Sequence, residues 1–306
     1  MLREAENIVK IEGILSETDL KYGSYIKNGK NVETISGSIK IKVVQQINGE
    51  DTNLEIPVHM FANKYKSDGV SPNPAFDSIE RVMKEFVSIA AAGGEEGADR
   101  VRITSAKIQM NEYYGRGENL ISFPRISASF VTKVKKEECK PQATFAVEFY
   151  VGSMDNELNR NGEETGRYVV KGIVPQYGGK VDVINFVAVA PGVINAISSY
   201  WNVGDTVKAS GRLNFSSKTE VIMKEVDFGE PIEQTRTTNV SDLVITGGSQ
   251  TPMDGEFAFD PADIKVAAAE RKNRLDELKK NSGDKGKNKV QPAPAANRVS
   301  AQDLGF

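Results

Sequence analysis

Two tyrosines and an arginine lie close together at one point in the chain, and their chemistry suits an unpaired nucleic acid strand. Tyr113 and Tyr114 precede Arg116, with Gly115 before it and Gly117 after it. Aromatic rings stack on exposed nucleobases and a guanidinium pairs with phosphate, while glycines give a turn its conformational freedom. The cluster therefore predicts contacts to single-stranded nucleic acid. The alternative interpretation is a solvated turn with half-buried tyrosines.

A second cluster of tyrosines and cations occupies residues 19–33. It contains Lys21, Tyr22, Tyr25 and Lys27 in a polar stretch that we expect to be a loop rich in turns. The remaining candidate contacts are cations and tyrosines on predicted strands and their connections. They are Lys40, Lys42, Lys64, Tyr65, Arg125, Lys171, Tyr177, Lys208 and Arg212.

The sequence lacks the residues that most enzyme sites require. His59 is the only histidine and Cys139 the only cysteine, and there is no Cys/His zinc spacing, Walker loop or nucleophile elbow. We interpret His59, which falls in a predicted strand, as structural rather than as a general base. A magnesium nuclease built from carboxylates would need a paired acidic motif, and none points to it. We therefore predict a non-catalytic protein without metal or cofactor.

The charge and the apolar runs restrict the class of protein further. The formal net charge is −3, so attraction to a polyanion must come from a local patch. A single cysteine allows no intramolecular disulfide, which fits a reducing compartment. No apolar run is long enough for a membrane span, and the N-terminus lacks a signal-peptide core. We expect a cytoplasmic protein without membrane contact.

Hydrophobic periodicity predicts the same order of elements twice, namely three strands, a helix and two strands. In the first copy the strands are predicted at residues 7–17, 37–44 and 54–62, the helix at 76–90 and a long hairpin at 100–134. Gly13 interrupts the first strand, which indicates a bulge or a sharp coil. In the second copy the strands are predicted at residues 144–152, 166–175, 181–190, 205–215 and 220–228, with the helix at 191–201.

This order, the glycine in the first strand and the chemistry of the loops resemble the OB-fold, a Greek-key barrel of five strands. Two such units in tandem resemble the replication-type single-stranded DNA-binding proteins, most closely those of bacteriophages, over residues 8–228. The resemblance implies binding through one sheet face and the loops between strands 1 and 2 and strands 4 and 5, here residues 19–33 and 111–119. It also implies the host cytoplasm if the protein is encoded by a phage. Five-stranded SH3-like barrels are the alternative fold, although a full helix between strands three and four fits them poorly.

The predicted fold is mainly β, with two tandem five-stranded OB-like barrels, each with a helix between strands 3 and 4, a C-terminal helix and a disordered tail. The predicted domains are residues 1–136 and 137–233. They are followed by a polar connector and helix over 234–281 and a flexible tail over 282–306. Asp260 and Pro261 supply the N-cap and first-turn proline of that helix.

The C-terminal tip has a further resemblance to the tails of bacterial single-stranded DNA-binding proteins. Those tails end in acidic residues and a terminal Pro-Phe that recruits replication and repair proteins. The resemblance therefore implies partner binding by Asp303, Leu304 and Phe306. Here Asp303 is the only acid and Gly305 replaces the proline, and an incidental terminal phenylalanine is the alternative.

Together these features predict a protein that coats and protects single-stranded DNA during phage replication, recombination or repair. Stacking by aromatic side chains and phosphate contacts by Lys and Arg would provide the affinity. The second barrel is expected to bind more weakly, because residues 153–166 carry four carboxylates against Arg160. The alternative is a protein-interaction or virion-assembly module that uses its barrels without nucleic acid.

Overall fold

The computed structural model describes residues 2–47, 49–115, 119–159, 161–224 and 232–285. Its strands are β1 (Asn7–Lys27), β2 (Lys30–Ile47), β3 (Glu50–Asn63), β4 (Arg100–Tyr114), β5 (Leu120–Ser127), β6 (Thr132–Val134), β7 (Gln142–Leu158), β8 (Glu164–Pro175), β9 (Val181–Ala188), β10 (Thr206–Lys224) and β11 (Ile232–Gly248). Its helices are α1 (Pro74–Glu85), α2 (Ile89–Ala92), α3 (Pro191–Tyr200) and α4 (Pro261–Lys285). Within the described residues, all of these strands belong to one sheet.

Five strands of the first half close into a ring, which we call barrel 1. The strands follow the order β1-β2-β3-β5-β4 and return to β1, and β3 runs parallel to β5. Helix α1 lies between the third and fourth strands of the ring. Alternate residues of each strand point inward, for example Ile39, Ile41 and Val43 of β2, which are fully buried. The prediction of an OB-like barrel in the first half is therefore confirmed.

The second half repeats this topology as barrel 2. The strands follow the order β7-β8-β9-β11-β10 and return to β7, with β9 parallel to β11 and α3 after the third strand. The single tryptophan, Trp201, is the C-cap of α3 and lies in the core, with its indole N–H donating to the carbonyl of Ser249 at 2.7 Å. Both halves are thus OB-like, and the predicted fold class is confirmed.

The two barrels share a continuous sheet because β1 also pairs with β7. Residues 7–12 of β1 lie antiparallel to residues 142–147 of β7. Further along, β1 pairs with β4 as far as Gly13 and Ile14, and it pairs with β2 from Ile14 onwards. A side chain at Gly13 would collide with the carbonyl oxygen of Lys42, and register shifts flank this position. The expected distortion at Gly13 is therefore confirmed.

Two stretches that we expected to be polar connections are strands instead. Residues 18–35 continue β1 and begin β2, and they form a ribbon that turns at Asn28 and Gly29. In the second half, the predicted strands at 205–215 and 220–228 are one strand, β10. Its partner β11 lies in the predicted connector. Both predictions were wrong because the two strands of a ribbon satisfy each other's backbone hydrogen bonds, so a stretch with few apolar residues can still form strands. The division into domains remains a proposal, and we propose Gly248 as the end of barrel 2.

The helices also differ from the sequence prediction in detail. The first predicted helix is interrupted, since α1 ends at Glu85 and the short α2 begins after Ser88. Helix α4 has the predicted N-cap, because the carboxylate of Asp260 accepts the N–H of Ala262 at 2.8 Å. One side of this helix packs against the rest of the protein, since Ile264, Ala267 and Leu275 are buried. Residues 286–306, with Asp303, Leu304, Phe306 and most of the predicted tail, lie outside the described residues.

Candidate nucleic-acid interface

The outer face of barrel 1 carries an open groove, which we call the Arg125 groove. Its position follows from strand β3, where Leu54, Ile56, Val58 and Met60 point inward and the intervening residues therefore point outward. Strands β4 and β5 add their own outward residues. The groove has a volume of about 510 Å³ and is lined by His59, Phe61, Ser105, Lys107, Gln109, Arg125, Ser127, Ala128, Ser129 and Phe130.

Arg125 lines this groove and has no carboxylate partner among the described residues. Its terminal nitrogen Nη1 donates to the side-chain oxygen of Asn111 at 3.5 Å, a long hydrogen bond. Its Nε is buried and has no hydrogen-bond acceptor in the described part of the chain. A buried donor without an acceptor is costly. An incoming anion would satisfy it, so the guanidinium is suited to bind phosphate.

His59 lies beside Arg125 on the same face. Burial lowers the pKa of the His59 imidazole below its ordinary value, and the positive charge of Arg125 lowers it further. The ring is therefore neutral at pH 7 and has one N–H donor and one nitrogen acceptor. Because of its burial and its position beside Arg125, the histidine adds no charge to the groove at neutral pH.

Exposed phenyl rings line the groove and continue beyond it. Phe61 is 49% exposed and Phe130 is 52% exposed, although phenylalanine is usually buried. Nearby, the exposed ring of Phe123 meets the ring of Tyr113 edge-on, with their centroids 6.4 Å apart. Several aromatic faces close to an unpaired guanidinium are the combination that binds bases and phosphates of a single strand.

The structure brings some of the predicted contacts to this face. Arg125 lines the groove, and Tyr113 lies on the hairpin of β4 and β5. Lys21 lies opposite Ser36, which in turn lies opposite Phe61, so the register places Lys21 on the same face. The Tyr25 hydroxyl contacts the side chain of Asn63 at 3.4 Å on the adjoining ribbon.

Other predicted contacts already have protein partners. Four lysines form ion pairs: Lys40 with Glu17 at 2.5 Å, Lys42 with Glu95 at 2.7 Å, Lys64 with Glu33 at 2.5 Å and Lys208 with Glu6 at 2.6 Å. Tyr22 packs on α1, where its hydroxyl donates to Glu80 at 2.5 Å. Tyr65 lies under the ammonium of Lys64, 5.8 Å from it. Ion-paired lysines attract phosphate less strongly than unpaired ones, because the neighbouring carboxylate repels it.

The remaining predicted contacts lie elsewhere. Lys27 ends β1 at the tip of the ribbon, and Tyr114 is half-buried near the end of β4. Lys171 and the highly exposed Tyr177 belong to barrel 2. In β10, Arg212 lies opposite Val244 of β11 on one side and opposite Thr144 of β7 on the other. It does not line the Arg125 groove. Arg116 lies outside the described residues.

Sequence reasoning missed several residues of this face. Phe61, Phe123, Phe130 and Lys107 were not among the candidates, and His59 was assigned a structural role. For Phe61 the signal was present, because β3 alternates strictly and Phe61 falls on the outward positions. An aromatic residue at an outward position of a well-defined strand indicates a binding face rather than a core. For Phe130, which lies after β5, no comparable periodicity exists.

The described residues provide no evidence for other kinds of site. Among them, no cluster of three or more His, Cys, Asp or Glu side chains could hold a metal ion. In the same part of the chain, no helix has the length and apolar character needed to cross a membrane.

Comparisons with known proteins give one family match and distant structural likenesses. The family model described as YorF matches residues 5–281. No curated protein matches the sequence. The crystal structure of the wild-type single-stranded DNA-binding protein from Thermus aquaticus is similar with a TM-score of 0.47 and 11% identity, covering 83% of this chain and 96% of that one. A deletion mutant of that protein has a TM-score of 0.44 and 11% identity, covering 84% of this chain and 98% of that one.

Proposed function

The chain belongs to the YorF family, and we propose that it is a non-catalytic protein that binds single-stranded DNA in the Arg125 groove of barrel 1. The observation that carries this proposal is the partly buried guanidinium of Arg125, which has no carboxylate partner among the described residues and lines the same groove as the exposed rings of Phe61 and Phe130. Phosphate would satisfy the arginine, and bases would cover the rings. A double helix presents no free base faces, so this chemistry favours a single strand.

We further propose that the protein coats single strands during replication or recombination, in the cytoplasm of a bacterial host if a phage encodes it. Because the net charge is −3, electrostatic attraction to a polyanion is restricted to the local patch. This suits a protein that binds one strand and does not bind other polyanions non-specifically. Tyr113 and Tyr114, at the end of β4, would extend the stacking surface beyond the groove. A tail that ends in Phe306 would dock partner proteins.

The test is a titration of labelled oligo-dT followed by fluorescence anisotropy. The label is needed because Trp201, the only tryptophan, is buried in barrel 2 and would not report on stacking in barrel 1. Phe61→Ala should weaken binding by about 1–3 kcal/mol, the range measured for loss of one base–aromatic stack. Arg125→Gln should weaken binding and make it less sensitive to salt.

Phe257→Ala is the matched control, because Phe257 is also exposed but lies in a turn between the barrels' last strand and α4. It should leave the affinity unchanged. Equal melting temperatures would show that all three variants fold. If folded Phe61→Ala and Arg125→Gln bind oligo-dT as tightly as the natural protein, the proposal is wrong. The protein-interaction module would then be the better interpretation.

A further inference from the structure

The hairpin formed by β10 and β11 leaves barrel 2 and reaches over the outer face of barrel 1. Phe215 of this hairpin is 3% exposed and faces the same groove as Pro57 and His59 of β3. Between hairpin and barrel lies a second groove of about 760 Å³, the arm groove. It is lined by Ser38, Lys40, Glu55, Pro57, His59, Phe123, Pro124, Arg125, Ile126, Phe215, Ser216, Val240 and Ser241.

Barrel 1 makes the reciprocal contact. Its β4–β5 hairpin reaches over strands β8 and β9 of barrel 2, where the main-chain N–H of Met110 donates to Asp182 at 3.0 Å. Between them lies a third groove of about 440 Å³, the Lys171 groove. Met110, Ser122 and Pro124 line one side, and Val169, Lys171 and Asn185 are among the residues of the other side.

The three grooves adjoin one another in a fixed order. The Arg125 groove and the arm groove share His59 and Arg125. The arm groove and the Lys171 groove share Pro124 and Ser241. A polymer that lies in the Arg125 groove can therefore continue under the β10–β11 hairpin onto barrel 2.

The chemistry along this route alternates in a way that suits one strand. Arg125 lies where the first two grooves meet, and Lys171, exposed and without a partner among the described residues, lies in the third. The middle section is mainly apolar, with Pro57, Phe123 and Phe215 among its walls. Phosphates would meet the cations and bases would meet the apolar section.

Two carboxylates of barrel 2 line the Lys171 groove, and both have a cationic partner. Arg167 lies 3.0 Å from Glu157 and 3.0 Å from Asp242, so one arginine pairs with both carboxylates that line the Lys171 groove. Pairing of the acids lowers their repulsion of a phosphate. Lys171 therefore remains the unpaired charge of this groove.

We propose that a single DNA strand follows all three grooves, so that barrel 2 and its β10–β11 hairpin are part of the binding site. This inference rests on the proposed function, and it adds the length of the site and the residues at its far end. It changes the role expected for barrel 2 from a weaker separate binder to a continuation of the same site.

A length series of labelled oligo-dT tests the inference, since an OB-fold covers about 4–16 nucleotides. An oligonucleotide of about 6 nucleotides can fill the Arg125 groove, whereas one of about 25 can follow all three. Lys171→Ala should weaken binding of the long oligonucleotide by about three- to tenfold at low salt, the effect of one charged contact, and leave the short one unchanged. Arg125→Ala should weaken both. Lys272→Ala, an exposed lysine on α4 that lines none of the grooves, should weaken neither.

Two substitutions of opposite charge at Ser241, made in separate variants, give an independent measurement. This exposed residue lines both the arm groove and the Lys171 groove. Ser241→Asp should weaken the long complex and Ser241→Lys should strengthen it, with the short complex unaffected. If Arg125→Ala has no effect on either length, the proposed function itself fails. If Arg125→Ala weakens both lengths while the Lys171 and Ser241 variants leave the long complex unchanged, the strand stays on barrel 1 and the inference is overturned.

Discussion

The salt dependence of binding can be predicted from the cations along the three grooves. Single-stranded nucleic acid loses affinity with a slope of about −0.7 in log K against log salt for each phosphate that a cation neutralises. Arg125 and Lys171 lack carboxylate partners among the described residues, whereas Lys40, Lys107, Arg167 and Arg271 are ion-paired. Replacing both unpaired cations with alanine should therefore reduce the steepness of the slope by about 1.4, and each single replacement by about 0.7.

This slope difference has a measurable consequence. Over a fourfold rise in salt, from about 50 to about 200 mM, a slope difference of about 1.4 corresponds to roughly sevenfold in affinity. The deficit of the Arg125→Ala/Lys171→Ala double variant should thus be about sevenfold smaller at the higher salt. Anisotropy titrations with a long oligo-dT at five salt concentrations would give both slopes, with Lys272→Ala as the control. Parallel lines for the natural protein and the double variant would refute the reasoning, since the two cations would then not contact phosphate.

Three further outcomes are expected. Glu12→Gln should destabilise the fold by about 2–4 kcal/mol, because the nearly buried carboxylate accepts two hydrogen bonds from Arg102, and the variant should melt lower at pH 7. Those bonds hold the pKa of Glu12 below its ordinary value, so the stabilisation is complete at neutral pH and is lost as pH falls through that lowered pKa. The difference in melting temperature between the natural protein and Glu12→Gln should therefore be smaller at about pH 3. Burial raises the pKa of Asp182, so replacing this carboxylate by the neutral amide in Asp182→Asn should cost little stability. Asp182→Ala should cost more in urea titrations, because it leaves the main-chain N–H of Met110 without an acceptor, a loss of about 1–3 kcal/mol. In the free protein, burial and the charge of Arg125 lower the pKa of His59, whereas a bound phosphate would favour the charged imidazole. DNA affinity should therefore rise as pH falls from about 7.5 to about 5.5. A flat profile identical to that of His59→Gln would contradict this.

The barrels could be predicted from the sequence because their strands obey strong periodicity. Residues 39–43 of β2 and 54–60 of β3 have a buried apolar side chain at every second position, and the helix between β3 and β4 has apolar residues at helical spacing. Element order then indicated the ring topology, which the structure confirms for both halves.

The ribbons could not be predicted, and both misses have one physical cause. No residue from 18 to 33 is buried, and residues 232–240 pair with residues 216–224 of β10 in a second ribbon. Their backbone hydrogen bonds are satisfied across the hairpin, and side-chain polarity carries no information about that pairing. In β11 only Leu243, Val244 and Ile245, within the barrel, have the apolar pattern of a strand.

The candidate site was partly predictable for a similar reason. Arg125 could be proposed because its charge falls within a strand, and Tyr113 because of its position at a hairpin tip. Phe123 could not be distinguished from a core residue by type alone, since most phenylalanines are buried, whereas the outward position of Phe61 in β3 could have been recognised. The reach of β10 and β11 over barrel 1 is a tertiary arrangement, and no local pattern in the sequence encodes it.

The pairing of β1 with β7 also matters while the protein is being synthesised. Residues 7–12 of β1 leave the ribosome about 135 residues before residues 142–147 of β7. At about 5–20 residues per second, roughly 7–27 s pass in which one side of this segment has no partner. An open strand edge is a template for pairing with another chain. Lys10 and Glu12 alternate with Val9 and Ile11 along this edge, and charged side chains there would protect the nascent chain from aggregation until β7 arrives.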